Sequence, residues 1–177
     1  MSLKSNFELM ADYNQWMNVS LYRAASQLSP LALTENRGAF FGSIIGTLNH
    51  ILVGDTIWLK RFSNHPSQFK SLDYVRSLEI PKSLDIILYD DFEFLLGART
   101  KMDSAIKDFV IELGDEAVSS SLSYSNTKGE LFTKNLGHLV QHLFNHQTHH
   151  RGQISTLLNQ AGVNIGVTDL LVNIPNA

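Results

Sequence analysis

The chain has 177 residues, 44% of them hydrophobic and 18% charged, with a formal net charge of −3, which is the balance of one globular domain spanning 1–177. No basic run offers an electrostatic footprint for nucleic acid, and the lack of cysteine excludes disulfides, thiolate metal sites and a cysteine nucleophile. The opening MSLKSNFELMADYNQW lacks the apolar run of a signal peptide, and no segment has the roughly 18–20 apolar residues of a membrane span, so a soluble, cytoplasmic protein is expected.

Ser5 and Glu8 form an S-x-x-E capping box ahead of a helical pattern that runs to about Leu28. Pro30 and Gly38 then break it. A second helix is predicted from about Phe41 to Phe62, followed by a long, mostly irregular connection over 64–82. Ser83, next to Pro81, is the expected N-cap of a third helix that runs to about Leu113 and stops at Gly114. Weak alternation around NTKG suggests a short hairpin. A fourth helix is predicted from about Lys134 to Ala161, with Gly162 as its C′ residue, before an extended tail packed on the bundle. Four long amphipathic segments imply an all-α four-helix bundle, and the long connections argue against assuming simple up-down-up-down order.

The segment HLFNHQTHHRGQI at 142–154 holds four of the seven histidines. At 3.6 residues per turn, Leu136, Leu139, Val140, Leu143, Ile154, Leu157 and Leu158 form one apolar stripe of the fourth helix. His150 falls inside that stripe and His146 at its edge. His138, His142 and His149 point away. Side chains at i and i+4 stand one above the other, so His146 and His150 can bite one ion; equally, one can be a hydrogen-bonded core residue and the other half exposed. A third ligand must come from another helix. His65 precedes a proline and reads as a solvated loop residue. His50 lies mid-helix opposite the stronger stripe of Ile44, Leu48, Leu52 and Leu59. That helix is apolar most of the way round, so one face can meet the core and the other a partner subunit; the pattern does not assign them, and a homodimer is the expectation.

YNQWMN at 13–18, FFGSIIGTLNHILVGDTIWLKRF at 40–62 and HLFNHQTHHRGQI at 142–154 together resemble the DinB/YfiT-like superfamily, in order and over nearly the whole chain. The resemblance implies a four-helix bundle, commonly dimeric, holding one divalent transition-metal ion (nickel, zinc or iron) through His50, His146 and His150. Three imidazoles with an open fourth position have the build of a catalytic centre. Characterised relatives resemble transferases that use a low-molecular-weight thiol, so the resemblance implies a small-molecule substrate and no nucleic-acid or membrane partner. Metal-dependent hydrolysis and metal or small-ligand binding without turnover are the alternatives. A di-iron carboxylate centre is a poor fit, because no E-x-x-H occurs.

Other residues allow two readings. Asp55 can support a ligand, pair with Arg61 or join a buried ion pair. Arg151 can meet an anionic substrate or a neighbouring helix. Gly152 can allow close helix approach. Tyr13, Trp16, Trp58 and Phe62 read as core or interface, and His142 and His149 as solvated.

Overall fold

A computed structural model describes residues 2–126 and 128–176. Four long helices form the body: α1 (Leu3–Ala25), α3 (Ile44–Phe62), α5 (Phe92–Glu112) and α7 (Leu136–Gln160). Three one-turn helices lie between them: α2 (Pro30–Thr34), α4 (Asp73–Ser77) and α6 (Asp115–Ser119). The antiparallel hairpin β1 (Ser121–Ser125) and β2 (Leu131–Asn135) precedes α7, with Ser121 opposite Asn135 and Ser125 opposite Leu131. Thr127, in the expected NTKG turn, lies outside the described residues.

α1 packs on α5 and α7, and α3 packs on the same two helices, so α1 and α3 sit diagonally. The chain therefore crosses the bundle twice, at 26–43 and again at 113–135. The up-down-up-down order is absent, but the 64–82 segment, whose length suggested a crossover, joins the adjacent helices α3 and α5. The core includes the fully buried Phe7, Phe62, Phe109 and Phe144, with Phe62 stacked on Phe109 at 5.6 Å and Phe7 tilted against Phe144 at 6.1 Å.

The helix ends correct the sequence reading. α1 is capped by Ser2, whose Oγ accepts from the Ser5 amide at 3.1 Å, so the helix begins ahead of the expected capping box. Pro30 begins a helical turn under the Ser29 cap, where its missing N–H costs nothing. α3 starts at Ile44, because Gly42 turns the chain at φ 73° and Ser43 caps the helix. The 64–82 connection carries a 3-10 turn at Lys70–Leu72 and then α4.

The largest difference is at α5. Asp91, not Ser83, is its N-cap, accepting from the amides of Glu93 and Phe94. Residues 83–91 instead lie along α3. The side chain of Asn49 takes hydrogen bonds from the amides of Leu88 and Tyr89 and donates to the Tyr89 carbonyl, all at 2.9–3.0 Å. This pairing satisfies the backbone of that segment without a helix. It also accounts for the apolar excess of α3, whose residues 44–56 are all buried within one chain. At its far end α7 stops as expected, with Gly162 at φ 82°. The tail returns to α1, where the Tyr13 hydroxyl donates to the Thr168 carbonyl at 2.7 Å.

One layer of the interior is polar. Asp55 on α3 accepts from Arg99 of α5 at 2.5 Å and from Gln147 of α7 at 2.9 Å. Arg99 also pairs with Asp103 at 2.9 Å, and Asp103 accepts from Asn14 and Asn18 of α1. Arg151 closes the network on Asn14. Both carboxylates thus share the Arg99 guanidinium and accept further hydrogen bonds from Gln147, Asn14 and Asn18, which makes their burial tolerable. Burial alone would lower the pKa of Arg99, but attraction from Asp103 and Asp55 outweighs it and holds the group charged.

Candidate metal centre

The centre is built on two helices that cross closely. His50 comes from α3; His146 and His150 come from consecutive turns of α7. Nε2 of His50 lies 3.1 Å from Nε2 of His146 and 3.1 Å from Nε2 of His150. These three are the cluster among the described residues whose donor atoms can share one ion, all within 4.8 Å of one another. His50 and His150 are buried and His146 is half-buried.

The outer nitrogens decide what these rings offer. Nδ1 of His50 lies 2.8 Å from the Leu84 carbonyl, which can only accept, so Nδ1 carries the proton. Nδ1 of His150 lies 2.8 Å from Oε1 of Gln153 and carries one too. In the neutral rings both Nε2 atoms then hold lone pairs aimed at the same point. Two such lone pairs 3.1 Å apart repel unless a cation sits between them. Nitrogen ligands at roughly 2.0–2.1 Å on a tetrahedron stand about 3.4 Å apart, close to the separation seen. The residues therefore fit a divalent ion. They also fit in protonation state: burial, then repulsion from His150 and His50, lowers His146 to about 3, and burial lowers His50 and His150 as well. A neutral imidazole is the form that binds metal.

Each ring is held from behind. Phe41 stacks on His50 with centroids 3.7 Å apart and 16° between planes, and it meets His150 edge-on at 5.6 Å. Asn49 anchors the segment that presents the Leu84 carbonyl. Gly54 supplies the space for His146: a Cβ at position 54 would stand 2.6 Å from Cε1 of that ring. Asp55 and Gln147 are the next residues along each helix, and their hydrogen bond fixes the register of α3 against α7 beside this contact.

Sequence reasoning found the facing of His146 and His150 and left the facing of His50 open; the fold brings all three together. It missed Gly54, whose role depends on a helix distant in sequence. Gly152 does not make the close approach expected of it, since a Cβ there would meet nothing within 4 Å. Asp55 pairs with Arg99 rather than Arg61, because Arg61 lies two turns further on at the C-terminal end of α3. Arg151 is buried and bonds Asn14, so it serves the α1–α7 contact. His142 and His149 are exposed as expected, though His142 meets the edge of Trp58 at 5.0 Å.

His65 was expected in solvent and is instead 5% exposed, stacked on Phe69 beside a cavity of about 530 Å³. Its Nδ1 accepts from the Ser67 amide, so Nε2 carries the proton and donates to Ser120 Oγ at 2.8 Å. Ser120 Oγ in turn donates to the Ala117 carbonyl. The proton flow runs opposite to that of a Ser–His nucleophile pair, in which histidine accepts from serine.

The family model described as DinB family matches residues 1–176. The chain is 24% identical over 166 residues to Protein DinB of Bacillus subtilis (strain 168), an alignment covering 89% of this chain and 87% of that one. No solved structure matches it significantly. With nearly every residue inside the family match, and with the conjunction of histidines that the motifs at 40–62 and 142–154 bring about, the chain belongs to the DinB family.

Proposed function

We propose that this DinB-family protein is a metal-dependent enzyme. His50, His146 and His150 hold one divalent transition-metal ion, and a coordination position remains for an atom of the substrate. The reaction is a transfer that uses a low-molecular-weight thiol, in a cytoplasmic setting. The observation that carries the metal reading is the convergence of Nε2 lone pairs whose opposite Nδ1 atoms are committed to the Leu84 carbonyl and to Gln153. Among the described residues no helix is long and apolar enough to cross a membrane.

The chain's own groups argue that the nucleophile comes from outside. There is no cysteine, and the Ser120–His65 pair has the wrong proton arrangement for attack. When bound, the ion would lower the pKa of a coordinated thiol or water and so supply a nucleophile near neutral pH. Phe41 and the Leu84 carbonyl orient His50, Gln153 orients His150, and Gly54 leaves His146 free to face the same point. The polar layer behind them holds the two helices in register.

Metal analysis of the purified protein, followed by transfer assays across several thiols, tests this reading. His146→Ala and His150→Ala should abolish stoichiometric metal binding and cut turnover by orders of magnitude while circular dichroism still reports a folded bundle. His142→Ala should do far less. Full metal occupancy in His50→Ala would sink the ligand assignment, and undiminished turnover without metal would remove the mechanism.

A further inference from the structure

α3 continues past the metal centre with a second set of chemistry. His50, Gly54, Ile57 and Arg61 repeat at 0, 4, 7 and 11 residues, so they form one stripe along a single face of the helix. At 1.5 Å per residue this stripe runs about 16 Å from His50 to Arg61. It is buried at the histidine end and partly open from Ile57 onward. One wall is the 80–84 segment, whose Leu84 carbonyl meets His50 and whose Ile80 and Pro81 line a cavity of about 390 Å³ with Ile57. The other wall is the hairpin, which lines the same cavity with Tyr124 and Ser125.

The distal end of this cavity is cationic. Arg61 lies 4.5 Å over the Trp58 ring and 4.8 Å over the Tyr124 ring, and it donates to the Ser125 carbonyl at 3.1 Å. Lys60 lines the cavity too and donates to the Arg76 carbonyl at 3.1 Å. Neither cation forms an ion pair among the described residues. The nearby acid of the hairpin, Glu130, is taken by Asn126 at 2.7 Å. Half-burial of a guanidinium without a counter-charge is unfavourable, and aromatic rings on which it lies restrict its plane.

We propose that this groove binds an extended ligand whose anionic end, a carboxylate or a phosphate, is received by Arg61 and Lys60, with its other end lying toward the histidine centre. The placement of that other end rests on the metal reading; the anion site does not. A substrate of this kind carries its negative charge away from the atom that reacts, since about three turns of helix separate the backbone of Arg61 from that of His50. A planar, bidentate oxyanion matches the guanidinium fork better than a neutral amide or an amine would.

Trp58 reports on this site directly. The chain has two tryptophans, so the Trp16→Phe background leaves one indole, the one under Arg61. Metal-loaded protein in this background is titrated with inorganic phosphate and, separately, with succinate, chloride keeping the ionic strength constant. A saturable change in Trp58 fluorescence is expected with at least one probe, and the probe that binds identifies the oxyanion class. Arg61→Gln and Lys60→Gln should each weaken it by tenfold or more. The same response should persist in His146→Ala, which separates this site from the metal centre. Absence of a saturable response to both probes overturns the proposal. So does unchanged affinity in both charge variants, or a response that vanishes with the metal. If Arg61→Gln does not fold, Lys60→Gln decides, since its side chain makes one backbone contact.

Discussion

Gly54 and Gly152 show how differently two glycines of the same pair of helices act. At Gly54 an added methyl would lie 2.6 Å from the His146 ring, a group with little room to retreat. Gly54→Ala should weaken metal binding by tenfold or more with the helix content intact, measured by competition with a chromophoric chelator. Gly152 faces open space, so Gly152→Ala should stabilise the protein by about 0.5–1 kcal/mol through helix propensity and leave metal affinity unchanged, measured by denaturant unfolding. Sequence reasoning chose the wrong one of the two. It named Gly152 for close helix approach, whereas the useful glycine is four residues after His50 and acts on a ring 92 positions away. A 3.6-residue period shows which way His146 and His150 face on their own helix. It does not show which atom of another helix they meet, and for that reason Gly54, Phe41 and the Leu84 carbonyl were not legible.

The segment between α4 and α5 acts as the cover of α3. Asn49 holds it through the Leu88 and Tyr89 amides, and Leu84 beyond them accepts from His50. Asn49→Ala should speed hydrogen exchange at those two amides and loosen metal binding without unfolding the bundle. A variant with unchanged exchange would show that the segment is held by other contacts. The four long helices and the hairpin were legible because their periodicity and turn residues are local. The start of α5 was not: Ser83 and Asp91 are both competent caps, and the choice between them is made by a side chain of α3. The polar layer works between elements as well. Removing one side of the Asp55–Arg99 pair leaves a buried charge alone, so Arg99→Met should cost about 3–5 kcal/mol in urea unfolding.

For the molecule as a whole, the buried imidazoles set the acid limit. Burial, then repulsion from His150 and His50, pushes the His146 imidazole down to about 3, below the ordinary histidine range, so the unfolded chain binds its proton first as pH falls. Metal-free stability should therefore be full above about 6.5 and decline toward 3, with His50 and His150 shifting in the same direction. Urea midpoints across that range check the slope, and His146→Gln should flatten it. The surplus apolar face of α3 no longer argues for a homodimer, since residues of the same chain cover it. A dimer is instead a proposal resting on the family resemblance, with light scattering at micromolar concentration as its test. The His50–His146 pairing has a further consequence, because the two ligands lie 96 residues apart in sequence. An ion shared by them closes a loop as long as those closed by disulfides, for which the chain-entropy model gives on the order of 4–5 kcal/mol. At a hundredfold excess over Kd the linkage amounts to about 2.7 kcal/mol, or roughly 5–10 °C in Tm, and a chelator should remove that increment reversibly. With that ion bound, a chain without a single thiol would carry a detachable crosslink, and its persistence in the cell would rise and fall with the supply of metal.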